Sequence, residues 1–169
     1  MALYHYKDIV QLDAASVSLA TGNLKFADFD NDGDKDIIAG VYDYGSPSIG
    51  SPLNILINDG NGNYSNPKNA LPATLPDYHA PILILEDFTG DGIVDVAAFD
   101  AGQLNSTGQY VGNVPYFLKG NGDGSFSQNS LSNGAIHLKN AAAGDIDNDG
   151  DLDLYIESGG SSPEQDPYI

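Results

Sequence analysis

Three segments of the chain share one pattern of closely spaced oxygen-bearing side chains, the residue types that bind hard cations. Each follows the template D-x-[D/T]-x-D-G-x-x-D, with oxygen-bearing side chains at positions 1, 3, 5 and 9 and glycine at position 6. Ca²⁺ prefers about six to eight oxygen ligands at roughly 2.3–2.6 Å, which carboxylates alternating along a tight loop can supply. The glycine permits a sharp turn, so the backbone carbonyl at position 7 can join the ligands. We therefore predict a calcium site in each loop, about three ions in all.

The predicted metal ligands occupy positions 1, 3, 5, 7 and 9 of each loop. They are Asp28, Asp30, Asp32, Asp34 and Asp36 in the first loop, Asp87, Thr89, Asp91, Ile93 and Asp95 in the second, and Asp145, Asp147, Asp149, Asp151 and Asp153 in the third. An EF-hand also requires a glutamate at position 12. This chain has Ala39, Ala98 and Ile156 there, within runs of β-branched and aromatic residues that are typical of strands. The loops are therefore predicted to join strand to strand.

The acidic loops recur at a nearly constant spacing. The second begins 59 residues after the first and the third 58 residues after the second, and such a fixed period indicates a repeat architecture. A glycine-rich turn keeps the same phase, because residues 58–64 (NDGNGNY) recur as residues 120–126 (GNGDGSF). We predict one repeat region over residues 1–169, with repeats at about 13–66, 67–128 and 129–158 and a tail at 159–169.

Each repeat is predicted to hold four antiparallel strands, A to D, with the acidic loop between A and B and the glycine-rich turn between C and D. Short strands separated by turn signals favour an all-β fold, and four strands per repeat fit the blades of a β-propeller. The predicted strands are Asn23–Phe29, Lys35–Tyr42, Leu53–Asn58 and Asn63–Asn66, then Pro81–Phe88, Val94–Phe99, Pro115–Leu118 and Ser125–Gln128, then Ala141–Ile146 and Leu152–Ile156 as A and B of the third repeat. Tyr6–Leu12 takes the place of a D strand before the first A strand.

Residues 26–40, FADFDNDGDKDIIAG, resemble the FG-GAP repeat of integrin α-subunit propellers, and more closely its bacterial VCBS variety. Residues 116–126, YFLKGNGDGSF, resemble the second half of that repeat, although the Phe-Gly pair of the integrin repeat is absent. The resemblance covers most of the chain and implies a calcium-braced propeller of an extracellular or cell-surface protein. About two and a half to three blades are fewer than the roughly four to eight of a closed ring. We expect a fragment of a larger propeller, completed by its remaining blades or by another copy of the chain.

The net charge of the chain limits the classes of molecule that it can bind. Its 24 acidic residues against 6 basic ones give a net charge of −18, and the three loops hold more than half of the acids. This charge disfavours nucleic acid, which requires a basic surface, and no apolar stretch is long enough for membrane insertion. The calcium concentration outside cells suits low-affinity sites of this kind, which favours an extracellular or cell-surface location.

The connections opposite the calcium loops carry the candidate ligand-binding residues. They are Tyr42, Tyr44, Tyr78, Gln103 and Tyr110. Tyrosines beside amides and small polar residues suit a carbohydrate or an extracellular protein ligand, although solvated propeller loops have a similar composition. We expect a non-catalytic adhesion or recognition scaffold, because no catalytic constellation is identifiable. The alternative is part of a secreted propeller-type polysaccharide lyase or hydrolase. His79 and His137 recur before their loops, and we expect both to be structural.

Overall fold

The structure is a computed structural model that describes residues 24–40, 53–67, 69–77, 81–104 and 110–158, without the side chains of residues 103, 104, 110 and 111. The described part of the chain is all β, and it contains no helix that could cross a membrane. The segment Tyr6–Leu12, the tail at 159–169, His79 and the predicted ligand residues Tyr42, Tyr44 and Tyr78 lie outside these residues.

The first sheet has four antiparallel strands in chain order, as predicted for a propeller blade. They are β1 (Leu24–Ala27), β2 (Asp36–Gly40), β3 (Leu53–Asn58) and β4 (Tyr64–Ser65). Successive side chains of a strand point to opposite faces. Ile38 accordingly packs towards the second sheet, whereas Ile37 packs on the other face with Leu56 and Tyr64. Both faces of β2 are buried, which explains its unbroken apolar run.

The second sheet repeats this order, with a short hairpin inserted before its third strand. The first two strands are β5 (Pro81–Glu86) and β6 (Asp95–Asp100), and the hairpin is β7 (Gln103–Leu104) and β8 (Tyr110–Val111). The last two strands are β9 (Tyr116–Gly120), which pairs with β6, and β10 (Phe126–Ser130). The sequence predicts a loop in place of this hairpin. Strands of two residues are too short to show a period of two in the sequence.

The third sheet has two described strands, β11 (Leu138–Gly144) and β12 (Asp153–Ser158). The predicted A strand began at Ala141, so the observed strand begins three residues earlier. Lys139 and Asn140 are exposed and polar, and the pairing register shifts between Leu138 and Asn140. These features hid the start of the strand, whereas the buried Leu138 anchors it against the second sheet.

The sheets pack face to face, and the two faces of β6 serve different interfaces. Val96 and Ala98 join the cluster between the first and second sheets, whereas Ala97 and Phe99 join the cluster shared with the third sheet. A strand buried on both faces is expected where each blade is covered by its neighbours, as in a propeller. The prediction of all-β propeller blades is confirmed, and the described sheets do not close into a ring.

The first interface includes direct contacts between the first acidic loop and the second sheet. The rings of Phe29 and Phe126 lie edge to face with centroids 5.4 Å apart. The backbone N–H of Gly124 donates to the carbonyl of Phe29 at 3.0 Å, and that of Phe126 donates to the carbonyl of Ala70 at 2.9 Å. The conformation of the first acidic loop is therefore coupled to the packing of two blades.

Gly120, the last residue of β9, is expected to be intolerant of any side chain. A Cβ atom there would lie 2.5 Å from the backbone oxygen of Val94 and 2.7 Å from Ile93 Cγ2. Gly120→Ala is expected to lower the free energy of unfolding by about 1–3 kcal/mol, the usual cost of overpacking. Urea denaturation measures this loss.

Gly144 at the end of β11 provides the matched control. A Cβ atom there would meet nothing within 4 Å. Gly144→Ala is expected to be neutral or to stabilise the protein by about 0.4–1 kcal/mol, because alanine restricts the unfolded chain. Equal losses from the two substitutions would contradict the close approach of β9 to the second acidic loop.

Candidate metal centre

Each acidic loop turns at two left-handed residues. Glycine at position 6 has a positive φ in all three loops, with values of 97° at Gly33, 83° at Gly92 and 98° at Gly150. Position 4 is also left-handed, with φ of 64° at Asn31, 70° at Gly90 and 62° at Asn148. The turn at position 4 was not predicted from the sequence. Asparagine or glycine at position 4 is the sequence feature that indicates a left-handed residue there, because these residues tolerate positive φ best.

The aspartates at positions 1 and 5 fold the loop back on itself. The position-1 carboxylate accepts the backbone N–H of the position-6 glycine, at 2.9 Å in Asp28, 2.8 Å in Asp87 and 3.1 Å in Asp145. The position-5 carboxylate accepts the N–H of position 7, at 2.9 Å in Asp32, 3.0 Å in Asp91 and 3.0 Å in Asp149. At least one oxygen of each aspartate is therefore held in place by the backbone, and Asp87 and Asp145 have both oxygens held.

The aspartate at position 9 joins its loop to the neighbouring strand, a role that sequence reasoning missed. Asp36 is buried, and its two oxygens accept the N–H groups of Phe29 at 2.7 Å and Asn58 at 2.9 Å. Asp95 is also buried, and it accepts from Thr89 at 3.1 Å and Gly120 at 2.9 Å. These residues brace the sheet whether or not they also bind a metal.

The third position-9 aspartate differs in its surroundings. Asp153 accepts the N–H of Ile146 at 2.9 Å. It is half-buried, and the described residues of the third sheet include no strand beyond β12 to supply the second bond. Its bracing role is accordingly smaller within the described part of the chain.

The first loop brings three carboxylates to one point. Oxygen atoms of Asp28, Asp30 and Asp36 all lie within 4.8 Å of one another. Asp28 Oδ1 is buried and has no hydrogen-bond partner within the described residues. A buried, unpartnered carboxylate oxygen is costly unless a cation satisfies it. Converging hard oxygen donors and one unsatisfied oxygen fit Ca²⁺. Asp32 and Asp34, also predicted as ligands, are not part of this group.

Two of the converging carboxylates have raised pKa values. The pKa of Asp36 is raised because burial disfavours its charged form, although the backbone N–H groups of Asn58 and Phe29 oppose the shift. The pKa of Asp30 is raised by burial and then by the negative charge of Asp36. Both shifts show that burial, with a smaller contribution from neighbouring carboxylates, disfavours the charged forms, which a bound cation would favour.

The third loop also groups three carboxylates, but in a more exposed setting. Oxygens of Asp145, Asp147 and Asp149 lie within 4.8 Å of one another, and all three residues are exposed. The group again consists of three carboxylates, but it uses positions 1, 3 and 5, whereas the first loop uses positions 1, 3 and 9. Asp151 and Asp153, the other predicted ligands there, are not part of the group.

The carboxylates of the second loop do not converge in this way among the described residues. Asp91 instead forms an ion pair with Lys119, whose Nζ lies 2.9 Å from Asp91 Oδ2. The pKa of Asp91 is lowered, first by the hydrogen bond from Lys119 and then by that from the Ile93 N–H. The second loop is thus paired with the positively charged Lys119 side chain of strand β9.

A family model described as an FG-GAP-like repeat matches residues 28–98 and again residues 87–156. The chain belongs to the FG-GAP-like repeat family. Each match begins at the first aspartate of an acidic loop, Asp28 or Asp87, in agreement with the predicted period, and together they span most of the chain. The resemblance stated from the sequence is therefore confirmed. Comparisons with curated proteins and with solved structures give no significant match.

On the face of the FG-GAP-like blades opposite the acidic loops, Asp100 and Asn113 hold the connection between β6 and β9 by hydrogen bonds. Asp100, buried at the end of β6, accepts the N–H of Gly102 at 2.8 Å and the Asn113 side-chain amide at 2.8 Å. The same amide donates to the Asp77 carbonyl at 2.7 Å. These bonds tie both ends of the connection that carries the β7–β8 hairpin. Sequence reasoning missed this pair, because nothing local links residues 13 positions apart.

The predicted ligand-binding residues are only partly within the described chain. Gln103 and Tyr110 lie on β7 and β8, and Leu104 pairs with Tyr110. Their side chains, and all of Tyr42, Tyr44 and Tyr78, lie outside the described residues. These five residues remain predictions. His137 is half-buried directly before β11, and its structural role likewise stays a prediction.

Proposed function

We propose that this FG-GAP-like repeat protein binds Ca²⁺ in its first and third acidic loops, and that the ions brace propeller blades. The proposal rests on the convergence of the Asp28, Asp30 and Asp36 carboxylates. One of their oxygens, Asp28 Oδ1, is buried and has no hydrogen-bond partner among the described residues. Such an oxygen gains a ligand when a cation binds, whereas repulsion between the carboxylates falls. The third loop supports the proposal with a second group of three converging carboxylates, which is more exposed.

The bracing role follows from what the first loop touches. It connects β1 to β2, and its Phe29 packs against Phe126 of the second sheet. Asp36 joins the same loop to β3 through the N–H of Asn58. A cation that holds Asp28, Asp30 and Asp36 together would therefore hold two neighbouring strands and one interface between blades.

We further propose a non-catalytic adhesion or recognition scaffold in an extracellular or cell-surface protein. FG-GAP-like repeats are typical of extracellular proteins, and calcium is abundant enough there for low-affinity sites. With the acidic loops committed to bracing, the ligand would meet the opposite face. The Asp100–Asn113 bond supports this placement, because it joins the two ends of the connection that carries Gln103 and Tyr110. A carbohydrate or an extracellular protein suits the tyrosines and amides of that face.

A glycan array probed in Ca²⁺ and in EDTA, paired with a turnover assay on acidic polysaccharides, tests the scaffold. We expect binding in calcium, loss of binding in EDTA, and no product. Tyr110→Ala is expected to abolish binding while leaving the melting temperature in calcium unchanged. Asp59→Ala is the matched control, since Asp59 lies in the exposed turn between β3 and β4, on the acidic-loop side.

Two outcomes would contradict the scaffold proposal. Release of product by this chain alone would make it an enzyme. Loss of binding in Asp59→Ala but not in Tyr110→Ala would place the ligand on the acidic-loop side of the blades.

A further inference from the structure

We propose that the second acidic loop holds the Lys119 ammonium group in place of a calcium ion, so that the first and third loops alone bind calcium. The inference rests on the proposed calcium function and refines it, because the repeat family and the loop template both lead to the expectation of about three ions. It identifies Lys119 as the residue that makes the middle loop independent of metal.

The contacts of Asp91 leave its carboxylate satisfied by the protein itself. Lys119 Nζ lies 2.9 Å from Oδ2, and the N–H of Ile93 donates to Oδ1 at 3.0 Å. The Thr89 hydroxyl also donates to this carboxylate. In the first loop, by contrast, Asp28 Oδ1 is buried with no partner among the described residues. The corresponding Asp87 of the second loop has both oxygens paired, with the N–H groups of Asp91 and Gly92, and the ion pair with Lys119 satisfies position 5.

Lys119 is held near the loop by its backbone. The N–H of Gly120, the next residue, donates to Asp95 Oδ1 at 2.9 Å, so the end of β9 is fixed against the loop. In the first sheet Asn58 makes the equivalent bond to Asp36. The residue before Asn58 is Ile57, which occupies the position of Lys119 and carries no charge. Of the two sheets whose third strands are described, the second alone places an ammonium group there.

The charges of the loops agree with this assignment. The first and third loops each carry five aspartates, whereas the second carries three, because Thr89 and Ile93 replace aspartates at positions 3 and 7. The pKa of Lys119 is raised by its hydrogen bond to Asp91 and by the charges of Asp91, Asp95 and Asp87. The ammonium group therefore interacts with all three acids of the second loop.

The backbone of the second loop also follows a different path. Asp36 and Asp153 accept the N–H of position 2, from Phe29 and Ile146. Asp95 accepts the N–H of position 3, from Thr89. The second loop also has Thr89 at position 3, where both other groups have a carboxylate, and its three carboxylates do not gather among the described residues.

The test counts bound ions by titrating the metal-free protein with CaCl₂ in a calorimeter and by native mass spectrometry. We expect two ions per chain. Asp30→Ala and Asp149→Ala, each of which removes a carboxylate from a converging group, should each remove one ion, whereas Asp91→Ala should leave two. The triple variant Lys119→Met, Thr89→Asp, Ile93→Asp, which gives the second loop the charges of the first, should bind three.

The double variant Thr89→Asp, Ile93→Asp retains Lys119 and isolates its effect, and we expect it to bind two ions. Lys139→Met removes one exposed positive charge away from the loop and should also leave two. Three ions in the wild-type protein, or in the double variant, would overturn the role of Lys119 while leaving the calcium function intact. No ions in the wild-type protein would overturn both.

Discussion

Replacing Asp95 with alanine is expected to lower the free energy of unfolding by about 2–6 kcal/mol. The side chain is fully buried, and its oxygens accept the N–H groups of Thr89 and Gly120. Each buried donor that loses its acceptor costs about 1–3 kcal/mol. Domains of this kind are stable by only about 5–15 kcal/mol, so the loss is large. Urea denaturation measures it, and the loss should be equal in calcium and in EDTA, because the second loop holds Lys119 rather than a metal.

Asp153→Ala is the matched control for this prediction. Asp153 occupies the same loop position, but it is half-buried and accepts one described N–H, from Ile146. We expect a loss of about 1–3 kcal/mol in EDTA, roughly that of one hydrogen-bond acceptor. A tolerated Asp95→Ala substitution, or equal losses at the two positions, would contradict the bracing role of the buried carboxylate.

Removing calcium is expected to lower the melting temperature by about 10–20 °C. A ligand at about 100 times its dissociation constant stabilises the folded state by about 2.7 kcal/mol per site, so two sites contribute about 5 kcal/mol. For a chain of this size each kcal/mol shifts the melting temperature by about 2–4 °C. Without the ions, the clustered carboxylates repel one another and Asp28 Oδ1 loses its ligand. Differential scanning calorimetry in calcium and in EDTA measures the shift.

The double variant Asp30→Asn, Asp147→Asn shows whether this shift comes from the proposed sites. Each substitution removes one carboxylate from a converging group, so the variant should melt at nearly the same temperature in calcium and in EDTA. Magnesium is a second control, because its small octahedral shell is poorly matched by these loops, and it should restore little of the stability. A wild-type melting temperature that does not respond to EDTA would refute the calcium proposal.

Local sequence was sufficient to predict the blades. Strands such as β2 and β6 are short runs of β-branched and apolar residues bounded by the acidic template, and their period and order follow from local signals. The two-residue strands β7 and β8, and the early start of β11 at Leu138, were not predictable, because neither carries a periodic signal.

The loop template alone determined which residues of this protein could bind a hard cation, since spacing, aspartates and left-handed glycine positions are properties of a nine-residue segment. Tertiary structure decided how the carboxylates of each loop are paired and in which loops they converge. Asp36 accepts a hydrogen bond from the N–H of a residue 22 positions away, and Asp95 accepts one from a residue 25 positions away. Lys119 reaches Asp91 only because β9 pairs with β6. Strand pairing brings these groups together, and the distance between them along the chain leaves no local signal.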